Sequence, residues 1–346
     1  MPKSPPQREL TLILTDLYLA PELRDPLAGS MGSGGTLAGL ELLLARASRR
    51  SGGDWRGLAC EIARLPSPAS VPVAAVSRAG AGAPPMDVAD HWWVATPVHL
   101  QAAHDHVQLG EVLSLDAGEW IQLTSQFNRE FAGEIGLLQA GRGTEAYLTM
   151  KQHIEASAVD PARVVGCDVH DSLPGGPQGS VLRRQMTAVQ MWLHDHPLNA
   201  ARERRGLPAA NGLWLWGSGA LPAMRGAEQL PSLFSDDPFL RGLWLLRGNR
   251  SPVQARPDTA KQLLRDLQSG SADAVVSLAL RDLQGATWLE RLGTLEHQWL
   301  APLIAALRGR MLGTLRLHVN ELLFTLQRRD LWRIWRRPRP WLEAIT

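Results

Sequence analysis

The chain has 346 residues, 45% of them apolar and 20% charged, with a formal net charge of +2. This composition fits a globular chain with a full core and excludes a disordered one, and so small a charge supplies no general attraction to nucleic acid or membrane. The two cysteines, Cys60 and Cys167, are too few and too far apart for a disulfide framework or a zinc knuckle, and with no signal-like N-terminus and no run of about 18 apolar residues the expectation is a cytoplasmic protein without a membrane span.

In chain order, residues 1–9 are proline-rich and polar and read as a disordered tail, and 10–346 as one large domain. Leu10-Thr-Leu-Ile-Leu-Thr15 is a short β-type run ending at Asp16, and Leu37–Ala47 is an apolar helix of good formers. The glycine-rich stretch 29–35 between them lacks the spacing and the Lys-Ser/Thr of a phosphate loop and reads as a flexible connection. Residues 78–85 break the chain, and His91-Trp-Trp-Val-Ala95 then predicts a strand leading into Thr96-Pro-Val-His-Leu100. Asp116–Gly133 predicts a helix, because Trp120, Leu123, Phe127 and Phe131 recur at intervals of three and four. A turn-rich loop, 173–179, precedes a helix from Ser180 to His194 whose stripe is Leu182, Met186, Val189 and Leu193.

Asn211-Gly-Leu-Trp-Leu-Trp-Gly-Ser-Gly-Ala-Leu-Pro222 predicts a buried strand that runs into a glycine-rich loop. Trp214 and Trp216 share a face, and Gly217 and Gly219 let backbone approach a ligand or another chain closely. Asp258–Gln268 then reads as a helix, Ala274–Leu280 as a buried strand, and Trp288–Leu307 as a long amphipathic helix. Leu315–Val319 and Leu322–Leu326 form a predicted hairpin around Asn320-Glu321. Strands separated by helices predict an α/β sheet covered on both faces, with a small C-terminal antiparallel addition. The thirteen tryptophans are expected mostly to fill the core.

Three constellations carry candidate chemistry. His99, His104 and His106 surround Asp105 and suit either a metal, for which a fourth ligand is missing, or a polar turn at a strand end. Gln190 and His194 lie one helical turn apart, and Asn199, Arg202 and Glu203 follow Pro197. Beside Asn211, Gly217 and Gly219 these residues form a candidate ligand site in which Arg202 suits a phosphate; the alternative is a hydrogen-bonded network that holds the helix-to-strand connection. The segment Arg328–Trp341 interleaves arginines with aromatics. It is expected to pack Trp332 and Trp335 on the body as part of a helix and leave the arginines solvated, with contact to nucleic acid or another acidic partner, or to a membrane surface, as the alternatives.

Thr96-Pro-Val-His-Leu100, Gln190-Met-Trp-Leu-His-Asp-His-Pro-Leu-Asn199, Arg202-Glu203, the Asn211–Gly219 strand and Asp330-Leu-Trp-Arg-Ile-Trp-Arg-Arg337, in that order, resemble the bacterial RpfE-type regulatory proteins. Those are similar in turn to the archaeal-type cofactor-independent phosphoglycerate mutases of the alkaline phosphatase superfamily. Thr96 stands where the pattern has Asp. The resemblance implies an alkaline-phosphatase-like three-layer sandwich with a mixed, mostly parallel sheet, two divalent metals such as manganese or zinc, and a Ser or Thr nucleophile that is transiently phosphorylated. Carried over, Asp16 is the candidate metal ligand near the N-terminus and Ser70, in Pro68-Ala-Ser70, the candidate nucleophile. Asp282 is what remains of a His-x-Lys-x-x-Asp pattern in Ser277–Asp282, and His318 what remains of an Asp-His-Ser pattern.

Two bridged metals need several carboxylates and imidazoles, more than this set offers. The expectation is therefore a phosphoglycerate mutase-like regulatory or binding protein that has lost its metal centre, needs no cofactor, and takes a small anionic ligand or a protein partner, with nucleic acid less expected. The alternative is an active metal-dependent mutase or related phosphotransferase that uses Asp16, Ser70, Asp282 and His318.

Overall fold

Runs rich in Leu, Val and Trp alternate with helical stretches throughout the computed structural model, which describes residues 8–17, 37–65, 71–82, 91–141, 145–150, 152–219, 229–248, 253–268, 273–285, 287–338 and 340–345. The strands are β1 (Glu9–Leu14), β2 (Ser48–Ser51), β3 (Trp92–Ala102), β4 (Val107–Val112), β5 (Gly136–Ala140), β6 (Ala146–Met150), β7 (Gly212–Gly219), β8 (Ser232–Phe234), β9 (Val253–Gln254), β10 (Ala274–Leu278), β11 (Thr314–Val319) and β12 (Leu322–Gln327). The helices are α1 (Ala38–Arg46), α2 (Trp55–Ile62), α3 (Val73–Gly80), α4 (Ala117–Phe131), α5 (Gly179–His194), α6 (Pro197–Arg204), α7 (Pro238–Leu246), α8 (Ala260–Gln268), α9 (Trp288–Thr294), α10 (Ala301–Arg308) and α11 (Trp341–Ala344).

The elements expected from periodicity form close to their expected bounds, because each carries its own apolar stripe. Some stretches differ. Arg78–Gly80, read as the start of a chain break, is the last turn of α3. The long helix after Trp288 is interrupted by a π-helical segment, Leu295–Leu300. In that segment Glu296 is buried and accepts hydrogen bonds from the backbone N–H groups of Gly39 and Leu40, at 2.7 and 3.0 Å. Those donors open α1, whose own N-cap residue Leu37 makes no side-chain cap, so a distant carboxylate satisfies them. The stretches 1–7, 29–35 and 220–222 lie outside the described residues.

The chain groups into two compact units, one of Met1–Leu19, Arg24–Ser67 and Arg225–Thr346, the other of Ala20–Leu23 and Pro68–Met224. The first unit holds a seven-stranded sheet in the order β2-β12-β11-β1-β10-β8-β9. From β11 to β9 the pairing is parallel, and β12 and β2 add antiparallel strands at one edge. The fold is thus α/β with a mostly parallel sheet and a C-terminal antiparallel addition, as the pattern predicts. Leu10, Leu12 and Leu14 of β1 enter a core shared with α1, α8, α10 and Trp341. Thr11 and Ile13, which alternation turns to the opposite face, are buried as well. Burial of both faces is what a parallel sheet requires.

The second unit is built on an antiparallel sheet, β4-β3-β6-β5, with β7 also paired to β3. The predicted strands at 92 and 212 therefore belong to this separate sheet and not to the parallel one. Leu213 and Leu215 of β7 join Trp93, Trp120, Leu123, Phe127 and Leu193 in its helical core. The helix α4 is closed by a capping box, in which Asp116 accepts from the N–H of Glu119 and Glu119 accepts from the N–H of Asp116.

Candidate functional site

Parallel pairing brings the C-terminal ends of β11, β1, β10 and β8 to one edge of the first sheet, the edge where α/β sheets carry their ligands. The residues there are Asp16 after β1, Ser277 and Asp282 at and after β10, Ser235 and Asp237 after β8, and His318 near the end of β11. Asp16 receives the backbone N–H of Leu280 at 2.6 Å and that of Arg281 at 3.1 Å, one on each carboxylate oxygen. Burial pushes its pKa up, against the pull of those N–H groups and of the Arg281 charge. Asp282 lies on the short 3-10 turn Leu280–Asp282 and is exposed.

His318 is buried and stands in register with Ile13 of β1. Its Nε2 lies 3.0 Å from the Gly53 carbonyl oxygen, which makes that nitrogen the donor. Nδ1 is buried without a hydrogen-bond partner among the described residues. Burial pushes the imidazole's pKa down, while the Gly53 carbonyl and the Asp54 carboxylate act in the opposite direction. Asp237 is half-buried, and desolvation raises its pKa, while Arg56 acts against that rise. The same carboxylate caps α7 through the N–H of Leu240 at 3.0 Å. The Ser235 and Ser277 hydroxyls are 2.6 Å apart.

Ser70 lies outside the described residues. Among those that are described, no three His, Cys, Asp or Glu side chains come together as a group that could hold a metal ion. Both Asp16 oxygens and the Nε2 of His318 are bonded to backbone groups. Sequence reasoning missed Asp237, Ser235 and Arg56, since nothing but the strand order joins residues near 56, 235 and 277.

In the second unit the expected ligand set is mostly engaged by the protein. The Asn199 side-chain amide donates to the carbonyls of Leu193 and Ala210 at 2.8 and 3.1 Å, and its oxygen accepts from the N–H of Ala210 at 2.8 Å. Asn211 grips β3 in the same way, accepting from the N–H of Leu100 and donating to its carbonyl. Arg202 is buried and bridges both oxygens of Glu119 at 3.0 Å, while its Nε donates to Pro208. His194 is 84% exposed, 3.9 Å from Asp195, and Glu203 is also exposed. Gly217 has φ +64°, and a Cβ there would lie 2.8 Å from Val73 Cβ; one on Gly219 would lie 3.0 Å from Pro72 Cβ. Both glycines thus admit α3 against β7. Gln190 lines a largely apolar cleft of ≈ 420 Å³ with Leu100, Met186, Gly212 and Trp214.

The histidines of the β3–β4 turn do not converge. His99 Nδ1 lies 2.8 Å from the Ala209 carbonyl oxygen, and His106 pairs with Asp105 at 2.7 Å. Trp332 and Trp335, expected to pack, are 75% and 74% exposed. They stand on a 3-10 turn, Arg328–Trp332, and the turn after it rather than on one amphipathic α-helix, so no stripe forms to bury them. No helix among the described residues is long and apolar enough to cross a membrane.

No protein-family model matches the chain. Among known proteins it is similar to the 2,3-bisphosphoglycerate-independent phosphoglycerate mutase of Methanothrix thermoacetophila, 28% identical over 138 residues, which are 37% of this chain and 35% of that protein. The enzyme of the same name from Methanosarcina acetivorans is 26% identical over 133 residues, 37% and 33% of the two chains. That from Methanosarcina barkeri is 31% identical over 76 residues, 22% and 19%. The chain thus spans about a third or less of the length of these relatives. Among solved structures, a cofactor-independent phosphoglycerate mutase from Thermoplasma acidophilum aligns over 93% of this chain and 90% of its own at 15% identity and a TM-score of 0.41. The PH0037 protein from Pyrococcus horikoshii aligns over 94% and 88% at 13% and 0.46. Both structural likenesses are too loose to carry an argument. The chain is similar, at low identity, to cofactor-independent phosphoglycerate mutases.

Proposed function

We propose that this protein is a regulatory or binding protein of the phosphoglycerate mutase-like, alkaline phosphatase-related kind, akin to the RpfE-type proteins it resembles, and that it has given up the two-metal centre. Its setting, on the sequence grounds above, is the cytoplasm. The observation that carries this reading is Asp16, whose two oxygens accept the N–H groups of Leu280 and Arg281 at 2.6 and 3.1 Å. A carboxylate that bridges β1 to the turn after β10 acts as a brace, and His318, bonded to Gly53, acts as another. Of the ligand set expected in the second unit, Gln190 is the best placed to meet a ligand, since it lines the cleft beside Gly212 and Trp214.

The test is metal content after equilibration with manganese or zinc, coupled to a 3-phosphoglycerate to 2-phosphoglycerate assay on the same sample. The reading predicts no stoichiometric metal and no turnover. Bound metal with metal-dependent turnover that Ser70→Ala abolishes would overturn it in favour of an active mutase.

A further inference from the structure

The C-terminal segment Arg328–Arg337 is the most unusual surface of the first unit. Trp332, Ile334 and Trp335 are 75%, 72% and 74% exposed within four residues. The segment is nevertheless pinned in place. Arg333 donates to the Arg46 carbonyl at 3.0 Å and pairs with Asp330 at 2.9 Å, Arg336 donates to the Ala47 carbonyl at 3.3 Å, and Arg46 donates to the Leu331 carbonyl at 2.5 Å. The Arg46 and Ala47 carbonyls lie at the C-terminal end of α1, where unmatched acceptors attract cations. Exposure of the indoles is therefore built into the fold.

Beside this segment lies a cleft of ≈ 630 Å³, lined by Arg49, Arg336, Arg337, Trp335 and Phe324, with Glu41 as the one carboxylate among the described residues. Arg49 donates from Nη1 to the Ala344 carbonyl at 3.3 Å, much as Arg336 donates to Ala47. Each guanidinium carries five N–H groups, so one backbone bond orients it and leaves the remaining donors for a ligand. Burial, and then the nearby Glu296 charge, raise the pKa of Glu41, while the N–H of Trp341 draws it the other way.

We propose that this cleft is a binding site for a small organic anion that carries its charge beside a planar ring, a nucleotide in chemical class. The phosphate is forked by Arg336, Arg337 and Arg49, and the ring stacks on Trp335. The charge balance on the wall selects an anion, guanidinium geometry suits phosphate, and an exposed indole offers a face for a flat ring. The volume falls within the range of small-molecule sites, about 300 to 1,000 Å³. A membrane surface would use the indoles but not the cleft, and an extended polyanion would gain little from a recess holding Glu41 and Phe324.

The test is isothermal titration of the full chain with ADP, inorganic phosphate, a single-stranded oligothymidylate and phosphatidylglycerol vesicles, at one salt concentration. ADP should bind saturably, one per chain, and more tightly than inorganic phosphate. The R336Q/R337Q variant should weaken ADP binding by at least about tenfold. Trp335→Ala should remove the preference for ADP over phosphate, and Arg337→Gln alone, which touches none of the bonds that pin the segment, should also weaken binding. No saturable ADP binding at millimolar concentration would overturn the proposal. Phosphate binding as tight as ADP would remove the ring from it. Oligothymidylate binding that strengthens with length, or binding confined to vesicles, would replace the nucleotide with a strand or a membrane.

Discussion

The strand β7 and the segment Arg328–Arg337 each present two tryptophans within a few residues, and they use them in opposite ways. Trp214 and Trp216 are 1% and 4% exposed, and their indole N–H groups donate to the Val159 carbonyl at 2.8 Å and to Thr96 Oγ1 at 2.9 Å. Between them stands Leu215, which alternation sends into the core on the opposite face. Trp332 and Trp335 are interleaved instead with Arg333, Arg336 and Arg337, and burying them would take guanidinium groups out of water as well. Arg333 and Arg336 find their partners at the surface, on the carbonyls that end α1. Tryptophan by itself announces neither core nor interface; the residues that alternate with it decide.

The comparison can be broken most directly at Trp214. Trp214→Ala should cost ~3–5 kcal/mol of stability by chemical denaturation, since it empties a buried site and strands an acceptor. A loss below ~1 kcal/mol would show that the β7 indoles are not the packing elements described. The same contrast holds for arginine. Arg202→Ala leaves Glu119 buried with only the half-exposed Arg205 beside it, and should cost about 3 kcal/mol. A Glu119→Gln, Arg202→Met double variant should recover part of that loss, and if it does not, the buried charge is not the cause.

Smaller effects sharpen the picture. Thr96→Val removes the acceptor of the Trp216 N–H and should cost about 1 kcal/mol. Burial holds His318 below the ordinary histidine pKa, so its ring is neutral in the fold near neutral pH. As the pH falls below 6.5 the unfolded chain takes up this proton first, so the contribution of His318 is complete above 6.5 and is lost as the pH drops toward the folded value. The stability profile of His318→Gln should be flatter than that of the native chain on the acid side, and parallel profiles would refute the assignment. Least of all, Trp332→Ala and Trp335→Ala should each change stability by no more than ~0.5 kcal/mol. A larger loss would mean that the segment packs against something in solution.

Much of the fold was legible in the chain. The α4 stripe of Trp120, Leu123, Phe127 and Phe131 and the α5 stripe of Leu182, Met186, Val189 and Leu193 are local patterns, and both helices form on them. The hairpin around Asn320-Glu321 was readable too, and both residues adopt positive φ, 46° and 66°. The phosphoglycerate mutase likeness was carried by ordered motifs and agrees with the relatives found at low identity. The candidate site was much less legible. Asn199, Arg202 and Asn211 were conspicuous as a polar cluster, yet whether such groups face a ligand or the backbone depends on partners such as Glu119 and Leu100, about a hundred residues away in the chain.

By itself, then, the sequence determined the elements, their periods and the α/β class, because those follow from the spacing of apolar residues over a few turns or a few strand positions. Only the tertiary structure decided that β3 and β7 form an antiparallel sheet apart from the parallel one, that Asp16 reaches the turn after β10, and that Arg49 meets Arg336 and Arg337 around one cleft. Each of these depends on which strands pair and where distant segments end. Strand pairing is settled by burying both faces of a sheet at once, a global condition that no local window of sequence contains.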